Sequence, residues 1–332
     1  MLQTGGVEAR VLRLAEKAAN VDALSPAIET RRLSPRAGEV LIEITAAGIN
    51  PSDAKAAIGM MPHAVFPRTP GRDYCGIVRA GASDLVGKEV FGSSGKLGIT
   101  LDGTHGTHLI VEAAAALEKP AGLTNEEAAG LGVPFVTAAE GFRRSGFPGP
   151  GETVLVMGIN GKVGQAAAQI AAWKGARVIG VARRAETFAG RACAEVDVVD
   201  SSTQDTPARV RELTGGKGAD IVFNTVGDPY YEQGTKSLAI GGRQIFISAI
   251  NKIVQFDIFA FYRGRHAYFG VDSLALSSIE TGAVLRQLLP GFVSGHLKPF
   301  PIASHAIYSL ERAAEAYAAV LSSARDRLVF KP

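Results

Sequence analysis

The chain has 332 residues, 46% of them hydrophobic and 20% charged; that is too long for one ordinary domain, suits two, and excludes a disordered chain. Cysteine occurs only at Cys75 and Cys193. This is too few for a disulfide scaffold, a four-thiolate zinc lobe or an iron–sulfur cluster, and it fits a reducing compartment. The net charge of +3 is small and spread along the chain, so no nucleic-acid partner is expected.

Met1 to Arg10 lacks a basic stretch followed by an apolar core, and no apolar run reaches the roughly 18 residues of a membrane span. A cytoplasmic protein with no membrane partner is expected. Glu39 to Thr45 alternates polar and apolar residues, the period of a half-buried strand. Cys75 to Arg79, Lys88 to Phe91 and His108 to Glu112 are further short strands between Gly and Pro turns. Strands at this spacing suggest a small barrel-like β domain.

The character changes near residue 122. Thr124 and Glu127 form a capping box before an Ala-rich run. Thr153 to Met157 is a continuous apolar strand, as a parallel sheet requires. A helix follows over Gly161 to Lys174, closed by Gly175, and then a strand over Arg177 to Ala182. Further strands are expected over Asp220 to Asn224 and Arg243 to Ser248. This alternation is the βαβ grammar of a doubly wound sheet. A last helix over Leu310 to Leu321 and a strand over Arg327 to Phe330 end the chain.

Between the first strand of the series and its helix lies Gly158-Ile-Asn-Gly161-Lys-Val-Gly164. Strand, tight glycine turn and helix N-terminus are the setting in which backbone amides hold a pyrophosphate. Gly161 permits close approach and Gly164 lets the helix pack on the sheet. The spacing is G-x-x-G-x-x-G, because Ile159 stands where the usual first glycine would be. At the end of the next strand, where an NAD binder carries a carboxylate for the ribose 2′-hydroxyl, this chain has Ala182, Arg183 and Arg184. Two guanidiniums favour a 2′-phosphate, so NADPH is the expected cofactor.

A set of segments occurs in a specific order: Ala47-Gly-Ile-Asn50-Pro-Ser-Asp53, Pro70-Gly-Arg-Asp73-Tyr-Cys-Gly, Asp102-Gly-Thr-His105, Val133-Pro-Phe-Val-Thr137, the Gly158–Gly164 turn, Asn224-Thr-Val-Gly227, Gly241-Gly-Arg243 and Gly270-Val-Asp-Ser273. Together they resemble the zinc-independent quinone oxidoreductase branch of the medium-chain dehydrogenase/reductase superfamily, over nearly the whole chain. The resemblance implies an α/β fold: a GroES-like β-barrel catalytic domain over 1–122 and 296–332, and a doubly wound Rossmann NADPH-binding domain over 123–295. It also implies a homodimer, for which the strand around His266–Phe269 is a candidate edge, packing inside the monomer being the other reading of that segment.

In zinc-dependent relatives a Cys stands where this chain has Asn50, and a His-Glu pair where it has Arg72-Asp73. Catalytic zinc needs three Cys, His or carboxylate ligands. Asn50 and Arg72 cannot serve, and His105-x-x-His108 reads as a strand-entry turn, so no metal is expected. Without a Lewis acid to polarise an alcohol or ketone, the acceptor must already be electron-poor. The expected reaction is hydride delivery from NADPH to a quinone or an activated C=C, such as an enone or 2-alkenal.

By resemblance, Asn50 lies against the nicotinamide and Thr137 bonds near its ribose or the substrate. Asn160, Gly161, Lys162 and Val163 cradle the pyrophosphate, with Gly158 and Gly164 shaping the turn. Asn224, Val226, Ser248, Gly270, Val271 and Asp272 edge the cofactor cleft. The proton donor stays open. Lys55 stands where several relatives carry Tyr, and reads either as an acid or as a solvent-facing helix lysine. Tyr74 reads better as core; Tyr262 and Arg263 are further candidates, Arg263 for holding an enolate or carboxylate; solvent is the remaining source. Cys75 reads as core. Two other functions are compatible: an acryloyl- or enoyl-thioester reductase, and a non-catalytic NADPH-binding relative that binds RNA.

Overall fold

The computed structural model describes residues 6–81, 84–184, 187–322 and 325–332; the first half of the Met1–Arg10 segment lies outside them. The elements run β1 (Val7–Arg13), β2 (Ala27–Leu33), β3 (Glu39–Gly48), α1 (Pro51–Ala57), β4 (Asp73–Gly81), β5 (Glu89–Ser93), β6 (His108–Glu112), β7 (Leu117–Glu118) and α2 (Asn125–Ser145). Next come β8 (Thr153–Met157), α3 (Lys162–Trp173), β9 (Arg177–Ala182), β10 (Val196–Asp200), α4 (Thr206–Leu213), β11 (Ala219–Asn224), α5 (Tyr231–Ser237) and β12 (Leu238–Phe246). The chain ends with α6 (Ile258–Gly264), β13 (Ala267–Gly270), α7 (Ser278–Val293), β14 (Ile307–Tyr308), α8 (Ala313–Leu321) and β15 (Val329–Phe330).

Contacts divide the chain into two units: 1–133 with 274–289 and 299–332, and 134–273 with 290–298. The expected boundaries at 122/123 and 295/296 therefore move. The reason is local for the first of them: the opening half of α2 is bonded into the first unit, where Gly130 accepts from Arg327 and Val133 donates to Asp73. The second boundary moves because most of α7, up to Leu289, joins the same unit, where Thr281 donates to the Ser93 carbonyl.

The first unit is built on a seven-stranded sheet in the order β14-β15-β3-β4-β5-β7, with β6 paired to β3, beside a β1–β2 hairpin. β3 is the organising strand. Its alternation buries Val40, Ile42 and Ile44 in one apolar cluster with Leu12, Leu14, Tyr317 and Phe330. Register shifts at Leu41/Ile42 and Ile44/Ala46 mark bulges, the usual device for bending a sheet towards closure. This is the GroES-like domain.

The second unit holds a six-stranded sheet in the order β10-β9-β8-β11-β12-β13, parallel throughout. In chain order this is 3-2-1-4-5-6, the doubly wound arrangement whose ligand crevice opens at the carboxyl ends of the central strands. All five residues of β8 are buried, as a strand covered on both faces should be. Among the described residues, no helix is long and apolar enough to cross a membrane.

Candidate active site

Three glycines shape the turn after β8, each for a different reason. Gly158 has φ +75°, a conformation that disfavours side chains. A Cβ on Gly164 would lie 2.4 Å from the Gly158 carbonyl oxygen, so α3 can sit this close to the turn only without one. Gly161 is different. It is the extended N-cap of α3, at φ −70° and ψ 156°, and a Cβ there would meet only the Gly158 oxygen, at 3.3 Å. It keeps the approach to the helix end open. The N-terminal amides of a 12-residue helix have no intrahelical acceptor and carry the positive end of its dipole. The turn therefore fits a dinucleotide pyrophosphate, with Gly161, Lys162, Val163 and Gly164 at the point of approach.

Neighbouring residues brace this turn. Asn160 accepts from the Ala189 amide at 2.8 Å and donates to the Thr187 carbonyl at 3.3 Å, so its side chain holds the following loop. Arg183 and Arg184 are exposed at the end of β9. Arg184 adopts φ +57° and its amide donates to Asp200 at 2.9 Å. Asp200 also accepts from the Ser202 amide and hydroxyl at 2.8 and 2.7 Å. These bonds hold its carboxyl below the usual range, so it stays an anionic anchor for the arginine turn.

Asn224 is buried at the end of β11 and accepts from the Val226 and Gly227 amides at 3.0 and 2.8 Å while donating back to the Gly227 carbonyl. It folds the loop that the sequence placed at the cofactor edge. A Cβ on Gly227 would fall 2.4 Å from the Ser248 oxygen, so the loops after β11 and β12 touch here. Val271 donates to the Phe246 carbonyl at 2.8 Å, which places Gly270, Val271 and Asp272 beside the end of β12. Thr137, buried on α2, donates to Ser273 at 3.1 Å.

In the first unit, Asn50 and Asp73 belong to a closed polar network. Asp73 is fully buried and its two oxygens accept four hydrogen bonds. Oδ1 takes Ser93 Oγ at 2.6 Å and the Val133 amide at 2.9 Å; Oδ2 takes Asn50 Nδ2 and Arg327 Nη2, each at 2.9 Å. Arg327 also donates to Asn50 Oδ1 at 3.0 Å, to the Ile49 carbonyl at 2.5 Å and to the Gly130 carbonyl at 2.8 Å. The last contact has a covalent cause. Pro134 lies inside α2 and has no N–H for the carbonyl four residues back, so the Gly130 oxygen is left for Arg327. The amide of Asn50 is thus spent on Asp73 and Arg327, and it serves here as a brace. Arg72 points its Nε at the Ser94 carbonyl, at 2.9 Å. A fully engaged carboxylate, an amide and a guanidinium are not the donor set that holds a catalytic zinc.

Asp53 is the third residue of α1, three after Asn50, and accepts from the Asn50 backbone amide at 2.8 Å. Burial raises its pKa to about 7. His105 bonds Tyr317 at 2.7 Å and the Gly48 carbonyl at 3.2 Å, and burial pushes it down to about 3, so it stays neutral. Gly71 must be glycine here: a Cβ would lie 2.3 Å from the His105 ring.

The catalytic candidates do not converge within one unit. Lys55 is half-buried in the last turn of α1, five residues after Asn50 in the first unit. Thr137 and Arg263 belong to the second, where Arg263 is exposed in the last turn of α6. Tyr262 is also exposed; Tyr74 is 1% exposed and packed in β4. Burial raises the Cys75 thiol to about 12, which makes it an inert core residue. Sequence reasoning missed Asp53, Ser93, Asp200 and Arg327 as site-shaping residues. The Asn50-x-x-Asp53 spacing is a capping signal and could have revealed Asp53; Arg327 joins Asp73 from 254 residues away and leaves no local signal.

A doubly wound sheet with a glycine turn at a helix N-terminus, on the same chain as a GroES-like barrel, defines a nicotinamide-dependent oxidoreductase. The alcohol dehydrogenase GroES-like domain family matches residues 36–121 and the zinc-binding dehydrogenase family residues 163–287. The chain is 40% identical over 269 residues to a zinc-type alcohol dehydrogenase-like protein of Schizosaccharomyces pombe, covering 80% of this chain and 79% of that one. It is 27% identical over 300 residues to the quinone oxidoreductase of Homo sapiens, covering 85% of each. It is 33% identical over 300 residues to a mycocerosic acid synthase-like polyketide synthase of Mycobacterium tuberculosis, covering 86% of this chain but only 14% of that far longer protein. The crystal structure of an alcohol dehydrogenase superfamily protein from Novosphingobium aromaticivorans superposes with a TM-score of 0.84 at 28% identity, covering 98% of this chain and 100% of that one. The chain belongs to the medium-chain dehydrogenase/reductase superfamily, in its zinc-independent quinone oxidoreductase branch, and it is an oxidoreductase that binds a nicotinamide cofactor.

Proposed function

We propose that the protein is an NADPH-dependent reductase that transfers hydride to a quinone or an activated C=C, without zinc. The observation that carries this reading is the Asp73 network, which spends on hydrogen bonds the positions that hold metal in zinc-using relatives. The bound nicotinamide supplies the hydride. The α3 N-terminus holds the pyrophosphate, and Arg183 and Arg184 bind the 2′-phosphate. An electron-poor acceptor needs no Lewis acid; it takes up one hydride from the cofactor and one proton from solvent or Lys55. Quinones and 2-alkenals mixed with protein and NADPH should discharge the nicotinamide absorbance. No oxidation with any acceptor overturns the reading.

The similarity to a polyketide synthase along 86% of this chain favours one second reading, an enoyl-thioester reductase. Turnover of crotonyl-thioesters at rates above those of quinones would select it.

The reading includes a homodimer. β13 is the open edge of the second sheet, and an open edge presents unpaired backbone groups. Ile250, Ile253, Phe256, Ile258, Phe259 and Tyr262 are 46–88% exposed near it in the chain. A second copy pairing along β13 would cover such a surface. Sedimentation should give a dimer that Phe259→Asp weakens; a wild-type monomer at micromolar concentration overturns the assignment.

A further inference from the structure

Two cavities lie side by side in the second unit. One, of about 420 Å³, is walled by Tyr231 of α5, Phe246 at the end of β12, Tyr268 of β13, and Val254 and Phe256 from the segment after β12. The other, of about 760 Å³, runs along α5 from Tyr231 to Lys236 and reaches Asp257 and Ala260 at the start of α6. They share Asp228, Tyr231, Asn251, Val254 and Phe256. Together they form one groove between α5 and the segment 249–257.

Aromatic rings wall the smaller end. Tyr268 meets Phe246, Phe256 and Tyr231 edge-on, at 5.6, 6.0 and 6.2 Å between centroids, and Tyr231 lies 6.0 Å from Phe246. None of these four rings is fully buried, and Phe256 is 46% exposed. The groove therefore leaves apolar surface uncovered, and the faces of such rings carry partial negative charge. Asp228 stands where the two cavities meet. Its Oδ1 accepts from the Ile250 and Asn251 amides at 2.7 and 2.8 Å, and its Oδ2 from Asn251 Nδ2 at 2.9 Å. Burial works against its charge, but these bonds outweigh burial and hold the carboxyl below its ordinary range. It is an anion at neutral pH. The other charges around the groove are few. Glu232 is paired with Lys236. Asp257 is held by the Ala260 amide at 2.9 Å. Lys252 is exposed and makes no ion pair among the described residues, so it is free to turn to solvent. The charge fixed in place is negative; the positive charge is mobile.

We propose that this groove is a binding site for a small organic monocation, an alkylated ammonium with an apolar body, held by the faces of Tyr231, Phe246, Phe256 and Tyr268 and by the charge of Asp228. The ring faces attract a cation at close range, and its alkyl groups cover aromatic surface that is otherwise exposed. A quaternary ammonium needs no hydrogen bond from Asp228, whose oxygens already serve the loop amides; it needs only the charge. A compact inorganic cation lacks the apolar surface that the rings would cover. The site depends neither on the cofactor nor on the reductase reading. Its occupant would lie between α5 and the segment that Asp228 fastens.

The test titrates the whole protein calorimetrically, at constant ionic strength, with choline and with 3,3-dimethylbutan-1-ol, which has nearly the same shape and no charge. Choline should bind about tenfold more tightly, a ratio that cation–π contacts at a partly exposed site support. Phe256→Leu keeps an apolar wall but removes a ring face, and should weaken choline several-fold while leaving the alcohol unchanged. Asp228→Asn keeps an oxygen for the Ile250 and Asn251 amides and should also weaken choline alone. Lys252→Met should leave choline binding unchanged or tighten it. Equal affinity for the two ligands overturns the proposal, because the groove is then only apolar. So does an absence of choline binding, or choline binding that neither Phe256→Leu nor Asp228→Asn weakens. If Asp228→Asn does not fold, the comparison of the two ligands on wild type and Phe256→Leu decides.

Discussion

The turn after β8 and the network around Asp73 use polar groups in opposite ways. At the turn, three glycines clear side chains from a helix end whose amides have no partner in the helix, so the site is a set of donors waiting for an anion. Around Asp73, each oxygen has two donors and each bonded arginine nitrogen has an acceptor, so the region is closed. A binding site must keep unsatisfied groups in reach of its ligand; a structural network must leave none. The comparison teaches that Asn50, which motif position suggests as a reacting residue, acts in the structure through Asp73 and Arg327.

The closed network should be the easiest to break. Arg327→Met removes the guanidinium and takes one of the four donors from buried Asp73. Loss of one partner from a buried ion pair costs about 3–5 kcal/mol. Denaturant unfolding should show a lower midpoint with an unchanged slope. A loss below about 1 kcal/mol, the net worth of a single ordinary hydrogen bond, would mean that the network is relaxed by water and that Asn50 is free to do chemistry.

The glycine turn sharpens the contrast by dividing stability from binding. Gly164→Ala puts a methyl into contact with the Gly158 backbone, and overpacking of this kind costs about 1–3 kcal/mol. Gly161→Ala meets only one oxygen at 3.3 Å, in a conformation that alanine adopts readily. It should leave the melting temperature nearly unchanged and weaken NADPH and NADH alike, because its methyl faces the approaching pyrophosphate. Equal effects of the two variants on stability would show that Gly161 is there for packing.

The legibility of the molecule follows the same division. Strands β3, β8, β9 and β11 were readable because their periodicity is dictated by burial on one face or two. The Gly158–Gly164 turn was readable because only glycine meets its backbone demands, and the Thr124–Glu127 capping box because its spacing is local; both its bonds form, at 3.0 and 3.1 Å. The hairpin β1–β2 was not readable, since β2 (Ala-Ile-Glu-Thr-Arg-Arg-Leu) is mostly exposed and carries little alternation. β10 was missed because it is a short strand between loops. Pro134 was visible in Val133-Pro-Phe, but its consequence, a carbonyl released to Arg327, depends on a partner near the opposite end of the chain.

Cofactor choice is a smaller effect, read on one phosphate. Charge-assisted hydrogen bonds contribute about 1.5–3 kcal/mol each, so Arg183→Ala with Arg184→Ala should raise the KM for NADPH tenfold or more and leave NADH use nearly unchanged. A parallel loss with both cofactors would remove the 2′-phosphate assignment. Asp200→Asn keeps an acceptor for the Arg184 amide and should shift the ratio less than the double variant.

The last effect concerns the pH dependence set by Asp53, and its sign is fixed by burial. Its pKa rises from an ordinary value of 3.8 to about 7 in the fold. Between these values the native state holds a proton that the unfolded chain has released, so stability falls as pH rises. The contribution is fully present below about pH 4 and is lost through about pH 7, with a slope of at most about 1.4 kcal/mol per pH unit. Asp53→Asn retains an oxygen for the Asn50 amide and carries no charge at any pH. The difference in unfolding free energy between wild type and this variant should therefore move in favour of the variant from about pH 4 to about pH 7 and then level off. Unfolding curves at each pH read the difference directly and cancel the other titrating groups. A flat difference would mean that Asp53 is ionised throughout, its charge met by Arg68.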